Sequence, residues 1–152
     1  SLTIVAACQG SRHESEPVRA RASLSRLESW EMFPAFGAAV KESFARLRDT
    51  LRLRRQQGRT VAGYSAGGRT VMTLAMADLD ATDLPYLVDL NPSLHGLLTA
   101  RSHVPVYPPE HVYEAPVNEL IVFSFGYLPE IREQLAPYRQ TGGALTSLLD
   151  LL

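Results

Sequence analysis

The sequence predicts an α/β fold built on a mostly parallel sheet. Three observations predict it. From Arg59 onward, short apolar runs alternate with helix-like segments, the pattern of right-handed βαβ units. The run Glu119-Leu120-Ile121-Val122-Phe123-Ser124-Phe125 is apolar without alternation, as a strand buried on both faces requires. The stretch from Thr60 to Thr70 passes from a strand through a glycine-rich turn into a helix.

The elements follow in order. Leu2 to Cys8 alternates like a strand, Gln9 to Arg21 is a polar loop, and Ser23 to Glu28 starts a short helix. Pro34 suits the first turn of a long helix reaching about Gln57, because proline lacks an N–H that the first turn leaves unpaired anyway. Val40, Phe44, Leu47 and Leu51 fall at spacings of four, three and four and form one stripe. Gly58 closes the helix. Thr60 to Tyr64 is a strand, Gly67 to Asp78 a helix, and Tyr86 to Asp89 a strand ending on an acid. Val104 to Val106 is extended and Pro108 to Tyr113 makes one helical turn. After the buried run, Pro129 to Arg139 is a helix with Ile131 and Leu135 four apart. Gly142 and Gly143 end it, and Ala144 to Leu149 is the last strand.

The totals bound the function. A length of 152 residues fits one domain with a real core. A net charge of −1 gives no global reason to expect nucleic acid or a membrane surface as partner. Cys8 is the only cysteine, so an internal disulfide is impossible, which agrees with a reducing, cytoplasmic setting. His13, His95, His103 and His111 lack zinc-type spacing, so no metal is expected. The apolar N-terminal run lacks a basic leader, and no run approaches the ~20 residues that span a bilayer. The chain opens on Ser1, almost inside a strand, and reads as a domain excised from a larger protein. Between Lys41 and Arg59 seven basic residues face Glu42 and Asp49, a net of +5. That run is either a solvated outer face or a docking surface.

The candidate site centres on Gly63-Tyr64-Ser65-Ala66-Gly67-Gly68-Arg69, which reads two ways. It matches G-x-S-x-G, with Ser65 as nucleophile and Asp89 then His103 or His111 downstream in triad order. Only one convincing strand precedes it, however, and no His-Gly-Gly oxyanion segment lies upstream. The other reading is an anion cradle. Gly63, Gly67 and Gly68 let backbone N–H groups approach an anion, Ser65 caps the helix or donates, and Arg69 adds a forked cation. The spacing is G-x-x-x-G-G rather than the dinucleotide fingerprint G-x-G-x-x-G. Asp89 either holds a ribose hydroxyl pair or makes an Asx-turn before Asn91-Pro92. Ser124-Phe125-Gly126-Tyr127 follows the buried strand and faces the same edge, and His103 precedes a short strand.

Five segments in order carry a family resemblance: Gly63 to Arg69, Val88-Asp89-Leu90-Asn91-Pro92, His95-Gly96, His103-Val104-Pro105-Val106, and Pro108-Pro109-Glu110. It continues through Phe123 to Tyr127, Glu130-Ile131 and Gly142-Gly143, and Ser1 to Val5 matches the opening strand. The chain resembles the C-terminal domain of sugar-nucleotide C-methyltransferases, enzymes of deoxysugar biosynthesis. The resemblance implies a zinc-binding region and a central S-adenosylmethionine domain ahead of a Rossmann-like C-terminal domain. It places the methyl-donor motif and the residues of proton abstraction in those earlier domains. The C-terminal domain then binds no cofactor alone, has no catalytic residue, and forms the nucleotide-sugar site against the S-adenosylmethionine domain of the same chain. Relatives carry Gly at the place of Ser65 and Lys-Gly at the place of Arg69-Thr70, and their tails are richer in proline.

These readings combine into one Rossmann-like three-layer domain over residues 1–152, with a strand, loop and long helix in 1–58 and a βα core in 59–152. Gly63 to Arg69 is expected to hold a diphosphate or an adjacent polar group. Asp89, Asn91, His103, Ser124, Phe125, Gly126 and Tyr127 are expected to line the same cleft. The alternatives are an NAD(P)- or nucleotide-binding module of an oxidoreductase, a serine hydrolase using Ser65, or a module that only packs domains together.

Overall fold

The computed structural model of the chain describes residues 32–152; the strand and short helix expected before them lie outside that range. The chain divides into two compact units, Ser1–Ala38 and Ala39–Leu152. Of the first, only helical residues from Met32 on are described.

Helix α1 runs over Met32–Gln56. It ends where Gly58 takes φ +75, a left-handed conformation that a Cβ would disfavour. Strand β1 is Val61–Tyr64, helix α2 is Gly68–Ala77, β2 is Leu87–Val88 and β3 is Val106–Tyr107. A short helix α3, His111–Glu114, leads to β4, Glu119–Val122. Helices α4, Leu128–Gln134, and α5, Ala136–Gln140, precede β5, Ala144–Ser147.

The five strands form one sheet in the order β3-β2-β1-β4-β5, with every neighbouring pair parallel. Val61 pairs with Glu119 and Tyr64 with Val122, which places β1 at the centre. The pleat sends alternate residues to opposite faces. Val61, Ile121 and Phe123 join Leu47 and Leu51 of α1 and Leu74 of α2 in one core. Ala62, Tyr64, Leu120 and Val122 join Val112, Ile131, Leu135 and Tyr138 in the other. The result is the expected α/β architecture, helices on both faces of a parallel sheet.

Several boundaries differ from the sequence expectation. Strand β2 is confined to Leu87–Val88, β3 lies at Val106–Tyr107 rather than Val104 to Val106, and α3 at His111–Glu114 rather than Pro108 to Tyr113. Three further differences have a local cause. The helix expected over Pro129 to Arg139 is two helices, with Leu135 at φ −98 and ψ 22 between them. Pro137 has no N–H to continue the α ladder, so the chain restarts there. Ile131 and Leu135 still reach the same core. The pairing of β4 stops at Val122, and Ser124 turns the chain into a 3-10 turn over Phe125–Tyr127. The last strand ends at Ser147, whose hydroxyl caps a 3-10 turn by accepting from the Leu149 N–H at 3.2 Å.

Four of the seven basic residues between Lys41 and Arg59 reach buried acids. Arg52 and Arg55 approach Asp83 Oδ1 at 3.4 and 3.8 Å. Arg54 and Arg59 approach the Glu119 carboxylate at 2.8 and 3.5 Å. The two acid side chains are 1% and 3% exposed. These four thus neutralise buried carboxylates, which would be strongly disfavoured as lone charges.

Candidate functional site

The strand order reverses at β1: the chain moves to one side for β2 and β3, then returns to the other for β4. In open parallel sheets that is where the carboxyl ends leave a crevice. Ser65, Asp89 and Ser124 sit just past the ends of β1, β2 and β4. Two clefts open there. One, of about 420 Å³, lies at the start of α2 and is lined by Ser65, Gly67, Gly68, Arg69, Thr70, Phe123 and Ser124. The other, of about 290 Å³, lies against α4; its lining includes Tyr64, Ser65, Asp89, Ser124 and Tyr127. Ser65 and Ser124 belong to both.

The turn between β1 and α2 is fixed from behind. The Ser65 N–H donates to the Val88 carbonyl at 2.7 Å, and the Ala66 N–H donates to Asp89 Oδ2 at 2.6 Å. Gly67 caps α2, and the first helical bond runs from the Val71 N–H to the Gly67 carbonyl at 3.1 Å. The N–H groups of Gly68, Arg69 and Thr70 are therefore left for a ligand or water. A Cβ on Gly68 would meet nothing within 4 Å, so the space above it is open. The Arg69 guanidinium lies over the Phe125 ring, 5.7 Å from its centroid, bridging α2 and the turn after β4. Among the described residues Arg69 makes no ion pair.

Ser65 holds φ +87, a region that favours glycine. Ser65→Gly is expected to raise stability by roughly 0.5–1 kcal/mol, because relief of the left-handed strain exceeds the added freedom of the unfolded chain. Thermal unfolding checks this, and a midpoint that does not rise would mean that the serine side chain offsets the strain.

The other predicted residues separate into three groups. Tyr64 donates its hydroxyl to Gln134 Oε1 at 2.7 Å, and burial, then the Asp89 charge, raises its pKa, so it stays a neutral donor. Phe125, Gly126 and Tyr127 sit on the turn after β4, with Tyr127 at 64% exposure. Asp89 makes the Asx-turn: Oδ1 accepts from the Asn91 N–H at 2.8 Å while Oδ2 holds Ala66. Its carbonyl also takes His95 Nε2 at 2.8 Å.

Three residues stand apart. Gly63 is not part of the cradle. It points into the core, where a Cβ would lie 2.3 Å from Leu87 Cδ2 and 2.8 Å from Phe123 Cε2. Asn91 caps the 3-10 turn Pro92–Leu94 by accepting from the Ser93 N–H at 3.1 Å and lines neither cleft. His103 is exposed in a loop that precedes β3, at the amino edge of the sheet, and lines neither cleft.

The nucleophile reading finds no histidine bonded to Ser65 among the described residues. Ser65 Oγ makes no hydrogen bond there. His95 is engaged by the Asp89 carbonyl, and His111 pairs with Glu114 at 3.0 Å and stacks on Tyr107. Sequence reasoning missed the α4 wall of the second cleft: Glu130, Ile131 and Gln134, with Leu90 opposite. The signal was available, since Glu130 and Gln134 stand four apart, one helical turn, just after the Ser124 turn.

Among the described residues no helix is long and apolar enough to cross a membrane, and no three potential metal ligands cluster. A family model described as the C-methyltransferase C-terminal domain matches residues 1–149. The chain is similar to the C-methyltransferase NovU of Streptomyces niveus, 22% identical over 147 residues, 94% of this chain and 35% of that protein. It thus spans about a third of the length of that relative. The family match covers nearly every residue, and the chain belongs to the C-methyltransferase C-terminal domain family.

Proposed function

We propose that this domain binds a nucleotide-linked sugar for an S-adenosylmethionine-dependent C-methyltransferase of the cytoplasm, and that methyl transfer takes place on the rest of the full-length protein. The observation that supports this reading most is the meeting of two clefts at the carboxyl edge, where the strand order reverses. In this reading the α2 cleft receives the diphosphate. Unpaired N–H groups at the start of α2 point toward it, and the forked Arg69 stands over Phe125 at its rim. Ser65 and Ser124 add hydroxyls on the wall shared with the second cleft.

The test is calorimetric titration of the full-length protein with UDP-glucose and dTDP-glucose. Arg69→Ala is expected to weaken binding about tenfold, the loss of one charge-assisted contact. Unchanged affinity would remove Arg69 from the site and count against the cradle. The strand order also favours a second reading, an NAD(P)-binding module, although both Asp89 oxygens already hold backbone N–H groups. Binding of NAD(H) with no response to either nucleotide sugar would select that second reading.

A further inference from the structure

The cleft against α4 has a one-sided chemistry. Two carboxylates line it, Asp89 and Glu130, and no lysine or arginine does. Asp89 is partly neutralised by the Ala66 and Asn91 N–H groups. Glu130 is exposed and has neither an ion pair nor a hydrogen bond among the described residues. Arg69, which makes no ion pair among the described residues and lies over the Phe125 ring, lines the other cleft. A negatively charged group therefore finds attraction on the α2 side and repulsion on the α4 side.

The same wall is rich in acceptors. An ionised carboxylate only accepts hydrogen bonds. The Tyr64 proton is used on Gln134 Oε1, which leaves the phenol oxygen as an acceptor and the Gln134 amide nitrogen as a donor. Such a surface suits a ligand that offers many donors. Leu90, Ile131 and Tyr127 supply an apolar side against which a ring can lie. A volume of about 290 Å³ is at the bottom of the ligand-pocket range, room for one ring and not a whole nucleotide.

We propose that the two clefts divide the ligand. The α4 cleft takes an uncharged, hydroxyl-bearing sugar ring, and Glu130 sets that specificity by accepting hydroxyl protons and repelling an acidic ring. This rests on the reading that the edge holds a nucleotide-linked sugar. A pyrimidine base fits the wall less well, since it offers a single ring N–H beside two acceptor carbonyls, whereas each hydroxyl that a sugar ring carries can donate. Ser65 and Ser124, common to both clefts, put the ring next to the anion.

Titration of the full-length protein and its Glu130→Gln variant with a nucleoside diphosphate, its glucose ester and its glucuronic acid ester tests the division. The uridine or thymidine series is used, whichever binds. The expected result is a preference for glucose over glucuronic acid of about tenfold in the native protein, narrowed to within about threefold by Glu130→Gln. Affinity for the diphosphate alone should be unchanged. An equal preference in both proteins overturns the assignment of Glu130 while leaving nucleotide-sugar binding intact. A variant that weakens the bare diphosphate as much as the glucose ester puts the base in the α4 cleft, and also overturns it. Failure of every nucleotide to bind either protein removes the reading on which the inference rests, and the inference with it.

Discussion

Glu119→Ala is expected to lower stability by roughly 3–5 kcal/mol, the loss seen when one partner of a buried ion pair is removed. The Glu119 side chain is 3% exposed at the first residue of β4. It accepts from Arg54 at 2.8 Å, from Arg59 at 3.5 Å, and from the Thr146 hydroxyl of the neighbouring strand. Alanine would leave Arg54, only 20% exposed, without a counter-ion, and Thr146 without its acceptor. Glu119→Gln keeps an acceptor and should cost about half as much. Arg59→Ala should cost within about 1 kcal/mol, because that side chain is 47% exposed and its pairing is screened. Urea unfolding of the three variants gives the order, and the thermal midpoint of Glu119→Ala should fall by on the order of 10 °C or more. A Glu119→Ala variant as stable as Arg59→Ala would show that α1 is not anchored through this carboxylate.

Gly143→Ala is expected to cost about 3 kcal/mol, at the upper end for overpacking, because the space beside Gly143 is filled by an aromatic ring. A Cβ there would lie 2.2–2.5 Å from three ring atoms of Tyr138. That ring is 2% exposed, and its hydroxyl donates to the Val117 carbonyl at 2.9 Å. It cannot retreat without losing the bond and the burial together. Burial also pushes the Tyr138 phenol well above its ordinary range. A displaced ring should therefore ionise at lower pH, visible as phenolate absorbance before unfolding. The companion variant Tyr138→Leu separates the cause. In that background Gly143→Ala should cost under about 0.5 kcal/mol, since the clash is gone. A full cost retained there would point to the backbone of β5 instead.

The features legible in the sequence are those whose signals are local. The unbroken apolar run gave β4, the four-three-four stripe gave α1, and the glycine turn gave the strand-to-helix passage at Ser65. The break at Leu135 was also local, announced by Pro137, but the helical pair Ile131 and Leu135 masked it. Partners far along the chain were not legible. Arg52 finds Asp83 31 residues away and Arg54 finds Glu119 65 residues away. Gly63 looked like a turn glycine because the reason for it, Leu87 and Phe123 closing in from neighbouring strands, exists only in the assembled sheet. His103 was misplaced for a directional reason: a residue that precedes a parallel strand lies at the amino edge, away from the crevice. Of the two readings of Asp89, the Asx-turn is present, while its bond to Ala66 depends on β1 and β2 lying side by side.

The central place of β1 has a consequence for how the chain is made. Thr60 and Asn118, which lead into β1 and β4, bond to each other across 58 residues of sequence. On a ribosome β1 emerges first among the described strands and can gain β2 and β3 early. Its other flank stays open until β4 has been synthesised. At about 5–20 residues per second that interval lasts roughly 3–12 seconds. For that time a strand that will be fully buried shows one unpaired edge to the cell, and closing the long Thr60–Asn118 loop is the event that hides it.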